Sequence, residues 1–336
     1  MTDYRVLETV SEGVTYLRIE CPGSGESALI LPEWGGTVHQ LSLCAGPHEE
    51  KAEGDPPHDL LESDDVDEIR ENPWFRGRVL FPFDDRVRAG QYRFRGVPYS
   101  LPINDPEKGD ALHGFLYKQP LRLTLRKSTA FSASVALEGD IREVPGYPFF
   151  LHIRILYTLD NEGFHIEMEI GNRGRNEAPF SVGWHPYFRL EHPGPEAAST
   201  QSPHPVNGLR LVIPADRYVE CDRDLVPSGR LLPVGGTELD FRRPLPVGDK
   251  VLDHGFVNRG GYMECLSGGL RLRIRQSDLF AYSQIFVPPM RTSIALEPIS
   301  AATDAFNHPD LGLRILKPGE KAYGRIDVSL LREKQG

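Results

Sequence analysis

Apolar side chains return at every second position along most of this chain, a period that suits a strand and not a helix. The runs include Leu121, Leu123 and Leu125; Leu151, Ile153, Ile155, Tyr157 and Leu159; and Phe164, Ile166, Met168 and Ile170. Later come Leu209, Leu211 and Ile213; Leu270, Leu272 and Ile274; and Ile326, Val328 and Leu330. Breaks rich in glycine and proline separate them, and Asp160-Asn161-Glu162-Gly163 lies between two runs as a hairpin turn should. The acidic stretch His58 to Glu71 is the best helix candidate, yet Leu60, Leu61, Val66 and Ile69 are poorly spaced for one face. The pattern predicts an all-β fold, a sandwich of mainly antiparallel strands. Segments 45–72 and 193–207 read as solvated loops too short to link domains, and no internal repeat is visible. Residues 1–336 are therefore expected to form a single domain, long enough to bury a sizeable core.

Charge narrows the choice of partner. The formal net charge is -10, and residues 49–71 hold eleven acids against Lys51 and Arg70. The remainder is nearly neutral, which argues against nucleic acid or an anionic membrane as partner. No apolar run approaches the roughly 20 residues of a spanning helix. Met1-Thr2-Asp3-Tyr4-Arg5 lacks the basic and apolar regions that open a secretory signal. Cys21, Cys44, Cys221 and Cys265 are far apart without C-x-x-C spacing, so reduced structural thiols and a cytoplasmic location are expected.

One stretch stands out for chemistry. In Phe180-Ser181-Val182-Gly183-Trp184-His185-Pro186-Tyr187-Phe188, strand alternation puts Phe180, Val182 and Trp184 on one face and Ser181, Gly183 and His185 on the other. Pro186 cannot donate to a ladder, so the strand is expected to stop with His185 at its end. Thr292-Ser293-Ile294-Ala295-Leu296-Glu297-Pro298 repeats the design, with Glu297 last before a proline. The two strands together predict an imidazole and a carboxylate presented over a floor of small side chains. Further polar anchors are Arg86, a ligand-holding or a solvated turn arginine, after which Gly90 turns into a strand with Tyr92 and Phe94 on one face; His113, a structural histidine or one beside a glycine that would let a ligand approach; and Asp253, where an apolar run meets Gly255, a ligand-facing carboxylate or an Asx-turn.

Several chemistries lack their sequence signs. Zinc ligands usually come in close pairs, whereas His113, His185, Asp253 and His254 are scattered with one adjacent pair, so no metal is expected. G-x-S-x-G, G-x-x-x-x-G-K-[ST] and a strand-borne G-x-G-x-x-G are missing, which argues against serine hydrolases, phosphate loops and nicotinamide or flavin cofactors. An imidazole facing a carboxylate across a sugar-sized groove suits proton transfer.

Five segments in order resemble the aldose 1-epimerase (galactose mutarotase) family over nearly the whole chain. They are Arg76 to Phe115, including Asp85-Arg86 and Leu112-His113-Gly114-Phe115; Asn176 to Phe188; Leu252-Asp253-His254; Leu296-Glu297-Pro298; and Asp304-Ala305-Phe306-Asn307. The resemblance implies a galactose mutarotase-like β-supersandwich acting on a hexose without a cofactor, as a monomer or homodimer. It makes Glu297 the base that takes the anomeric hydroxyl proton and His185 the acid that protonates the ring oxygen. His113 would hydrogen-bond near that oxygen, Arg86 and Asp253 would hold hydroxyls, and Gln284 would line the wall. Members often carry asparagine where this chain has Asp85.

Three rival functions come with this resemblance. A hexose-6-phosphate 1-epimerase would use Arg78 and Arg88 for phosphate, from the run Arg76-Gly77-Arg78-Val79-Leu80. A non-catalytic carbohydrate-binding protein would need no acid and base. A glycoside hydrolase would pair Glu297 with Asp253.

Overall fold

A computed structural model describes residues 3–46, 56–190 and 204–333. Alternation translates directly into layers. In Leu151–Asp160 the side chains of Leu151, Ile153, Ile155, Tyr157 and Leu159 are fully buried, while Arg154, Leu156 and Thr158 between them are only partly covered. Each such aliphatic side chain contributes about 1.5–3 kcal/mol by leaving water. This strand pairs with Gly163–Asn172 through the expected two-residue hairpin, Asp160 opposite Gly163. They lie inside a nine-stranded sheet that continues through Lys321–Arg332, Leu270–Gln276 and Tyr262–Ser267.

The second large sheet has eight strands and carries the groove. Its order is Pro227–Pro233, Arg217–Cys221, Asp253–Val257, Tyr282–Phe286, Ile294–Ile299, Gly183–His185 and Arg78–Leu80, with Tyr187–Phe188 also paired to Ile294–Ile299. A five-stranded meander from Arg5 to Asp59 covers one end. Every paired strand is antiparallel, and most of the buried apolar side chains form one continuous core. The fold is the antiparallel β-supersandwich that the alternation and the resemblance implied.

Four local expectations need correction. The run Leu121, Leu123, Leu125 lies on an edge strand with a bulge between Leu123 and Leu125, so these two are only half-buried. Phe180 to His185 is two strands, not one. Ala178–Phe180 pairs with Arg314–Leu316, and the chain then crosses to the groove sheet at Ser181–Val182. Hydroxyls replace the ladder at the crossing: Val182 N–H donates to Ser300 Oγ at 2.7 Å, and Asp84 N–H to Ser181 Oγ at 3.0 Å. The strand does stop at His185, but Tyr187–Phe188 resumes pairing past Pro186.

The acidic segment is the third correction, because its second half is docked instead of solvated. His58–Asp59 closes the five-stranded sheet, Leu60 and Leu61 are buried, and Leu61 bridges to Phe188. Val66–Glu71 is a short helix capped by Asp65, whose Oδ1 accepts from the N–H groups of Asp67 (3.0 Å) and Glu68 (2.9 Å). Glu68 returns a bond to the Asp65 N–H, completing an Asp-x-x-Glu capping box that apolar spacing could not reveal. Residues 47–55 of this segment, and 193–203 of the second expected loop, lie outside the described residues. Fourth, Asp253-His254-Gly255 is mid-sheet strand and not an Asx-turn.

Candidate active site

Sheet register builds the site. Gly255 pairs with Gln284, and Gln284 with Glu297. The next strand pairs Gly183 with Ile299 and Tyr187 with Ala295, which sets His185 across from Glu297. One row thus runs Gly255, Gln284, Glu297, His185, and neighbours in a row share a face. The neighbouring row on the same face brings Asp253, Phe286 and Tyr187 alongside. These side chains line a cavity of about 330 Å³, at the lower end of the roughly 300–1,000 Å³ usual for small-molecule sites.

All six residues expected from the sequence line this cavity: His113, His185, Glu297, Arg86, Asp253 and Gln284. The floor differs from expectation. Ser181 and Gly183 do not line it; a side chain on Gly183 would come within 2.7 Å of Ile299. The small residue that opens the floor is Gly255, packed under the Gln284 carbonyl. Gly114 likewise serves packing, since a Cβ there would lie 2.2 Å from the Phe81 carbonyl oxygen.

The acid–base pair is almost sealed from water. His185 Nε2 lies 3.6 Å from Glu297 Oε2, and Nδ1 of His185 has no hydrogen-bond partner in another residue. Burial, reinforced by the charges of Asp85, Asp253 and Asp84, raises Glu297 well above the carboxylate range. Burial, with His113 alongside, pushes His185 well below the imidazole range. The Tyr187 ring stacks on His185 at 5.0 Å and 9°, and the Arg76 guanidinium lies over the Tyr187 ring, 5.8 Å from its centroid. Arg76 is pinned by Asp64 at 2.7 Å, so the docked acidic segment buttresses His185 through this column.

His113 meets His185 edge-on at 5.1 Å, and burial lowers it to about 3. Its Nδ1 is 3.1 Å from the Asp84 carbonyl oxygen, which can only accept; Nδ1 therefore carries the proton and Nε2 a lone pair. Asp84 itself is buried at the crossing, its Oδ2 taking bonds from Ser300 N–H (2.8 Å), Ser300 Oγ (3.0 Å) and Ala301 N–H (3.0 Å). Arg86 is buried rather than solvated, with Nη1 shared between Asp105 (2.8 Å) and Asp110 (2.9 Å) and a buried Nε that lacks a partner. Gln284 Nε2 donates to Asp253 Oδ1 at 2.6 Å, and burial raises Asp253 to about 6.

Sequence reasoning missed Asp84, Tyr187, the Asp105–Asp110 clamp and the rim residues Trp74 and Phe75. Phe75, His113 and Leu225 line the cavity with φ of 55°, 61° and 62°, left-handed backbone that is unusual off glycine and gathers at functional sites. The two arginines expected for phosphate are elsewhere. Arg78 is fully buried, donating to Asn72 (2.8 Å), Thr37 (2.9 Å) and the Ile69 carbonyl (2.7 Å), and Arg88 is exposed outside the cavity. Among the described residues no three His, Cys, Asp or Glu side chains converge to hold a metal, and no helix is long and apolar enough to cross a membrane.

The antiparallel β-supersandwich places the chain in the galactose mutarotase-like class of folds. Aldose 1-epimerase family features match residues 23–329, and the chain belongs to that family of isomerases. Mouse galactose mutarotase is 29% identical over 281 residues, covering 75% of this chain and 78% of that protein. The uncharacterized protein YihR of Escherichia coli K12 is 27% identical over 249 residues, 73% and 75% of the two chains. The crystal structure of a galactose mutarotase-like protein from Clostridium acetobutylicum superposes with a TM-score of 0.82 at 19% identity, covering 98% of this chain and 99% of that one.

Proposed function

We propose that this protein interconverts the α and β anomers of a hexose, with Glu297 and His185 exchanging protons with the substrate. The observation that carries the reading is their 3.6 Å approach inside a cavity that also holds Arg86, His113 and Asp253. Glu297, as carboxylate, takes the proton from the anomeric O1–H. The C1–O5 bond breaks as C1=O1 forms, and His185, as imidazolium, gives its proton to O5. Rotation about C1–C2 and closure with the proton movements reversed yield the other anomer.

Only one proton need be shared by the pair. Burial raises Glu297 and lowers His185, directions that favour that proton on the carboxyl; carboxylate with imidazolium carries the same proton moved across. A bound sugar whose O1–H points at Glu297 and whose O5 faces His185 favours the second arrangement. His113, holding a lone pair on Nε2, accepts from a hydroxyl next to the ring oxygen. Arg86 and Asp253, which line the same cavity, bind further hydroxyls.

Anomers interconvert slowly unaided, and each positioned acid or base contributes about 10²- to 10⁴-fold, so two groups suffice. The burial of Arg78 and the exposed placement of Arg88 favour an unphosphorylated hexose over its 6-phosphate. The test is polarimetry on freshly dissolved α-glucose and α-galactose. Optical change faster than the blank supports the reading, and binding without acceleration would leave a carbohydrate-binding protein.

A further inference from the structure

The cavity has more acids than the proton transfer uses. Besides Glu297 it is lined by Asp85, Asp105, Glu107 and Asp253, against which stand Arg86 and Lys108. Arg86 is committed to Asp105 and, beneath it, Asp110. Lys108 lies exposed on the rim next to Glu107. Asp85 and Asp253 thus face a ligand with no cation to themselves: Asp85 shares Arg86 with Asp105 and Asp110, and Asp253 feels only that same guanidinium and the rim Lys108. Neither is free to swing away: Asp85 Oδ1 is held by the Arg86 N–H at 2.6 Å, and Asp253 Oδ1 by Gln284. Asp253 has a task in gripping hydroxyls. Asp85 has none assigned.

Resting on the epimerase reading of the site, we propose that Asp85 selects substrates by charge, favouring aldoses that carry an ammonium group and turning away those that carry a carboxylate or phosphate. The physical reason is a negative charge inside a partly dehydrated pocket, where burial raises the Asp85 carboxyl while the Arg86 guanidinium and backbone N–H favour its ionised form. Across the width of a pyranose, at an effective dielectric near 20, such a charge changes the relative affinity for a charged sugar by about 10- to 100-fold. Uncharged sugars feel it far less. The same carboxylate helps keep the proton on Glu297, so its influence reaches both the binding wall and the reacting pair.

The experiment compares wild type with Asp85→Asn on glucose, glucosamine and glucuronate, by NMR exchange between anomers after subtraction of the spontaneous rate. The pH is chosen so that the amine is protonated. In the wild type, kcat/KM is expected to fall in the order glucosamine, glucose, glucuronate. In Asp85→Asn the glucosamine-to-glucose ratio is expected to drop about tenfold and the glucuronate-to-glucose ratio to rise about tenfold. Opposite movement of the two ratios is the signature of charge; a change of shape would move them together, and that result, or no movement, overturns the proposal. If Asp85→Asn fails to fold, Asp85→Ser takes its place in the same comparison, and ratios that stay at their wild-type values overturn the proposal. No acceleration with any of the three sugars would instead sink the epimerase reading. Calorimetric affinities for the three would then test charge selection: a glucosamine-first order supports it and any other order overturns it.

Discussion

His165 and His185 are both buried imidazoles on antiparallel strands, and their surroundings drive them in opposite directions. His165, in the nine-stranded sheet, has Asp327 at 2.6 Å on Nδ1 and Asp160 at 3.0 Å on Nε2. Burial and nearby Arg325 work against its charge, but the two carboxylates outweigh them and raise it to about 9. His185 has one carboxylate nearby, at 3.6 Å, and burial with Asp85, Asp253 and Asp84 raises that carboxyl well above its ordinary range. Burial and His113 lower His185 itself. The contrast teaches that the direction in which a buried histidine shifts depends on whether ionised carboxylates bond it. Two such partners favour the cation at His165, and burial without them favours the neutral ring at His185.

The largest expected effect breaks the groove side of this contrast. Glu297→Gln and His185→Asn should each lower the rate of anomer exchange by about 10²- to 10⁴-fold, with the double variant little worse than the worse single one. Polarimetry measures this, and additive losses would separate the pair into independent groups.

On the sheet side, His165→Gln should leave exchange unchanged and cost about 1–3 kcal/mol in urea unfolding at pH 6. The sign follows from a folded value of about 9 above the ordinary 6.5. The stabilisation is fully present below pH 6.5 and is lost as pH rises through 9, so wild type and variant should converge near pH 10. A gap that stays constant with pH would show that His165 is not charged.

A smaller effect sharpens the contrast through pH. Exchange should follow a bell whose acid limb, the charging of His185 beside protonated Glu297, falls below the ordinary imidazole range. Its alkaline limb, loss of the pair's one proton, should fall above the ordinary carboxylate range. A flat profile would contradict the shared proton.

The smallest concerns substrate grip. Arg86→Lys keeps a charge but loses the planar guanidinium whose Nη1 bonds both Asp105 and Asp110, and should raise KM roughly tenfold with kcat changed less. A fall in kcat alone would give Arg86 a part in the chemistry.

Much of the fold was legible because alternation is local. Leu151 through Leu159 announce a half-buried strand whatever lies across from them, and Asp160 to Gly163 announce its hairpin. The helix Val66–Glu71 was not, since its stability comes from a capping box and from packing, and its apolar spacing is poor. Gly114 and Gly183 read from the sequence as room for a ligand, whereas each accommodates a neighbour more than thirty residues away in the chain.

By itself the sequence determined the strands and the residue types available for acid–base work, because side-chain chemistry and a period of two need no partner to be read. Only the tertiary structure decided that Glu297 is raised well above the carboxylate range, that Arg78 is locked in the interior and that the acidic segment reaches His185 through Arg76 and Tyr187. Burial and charge proximity are properties of groups brought together from distant positions, and those set the direction in which Glu297 shifts.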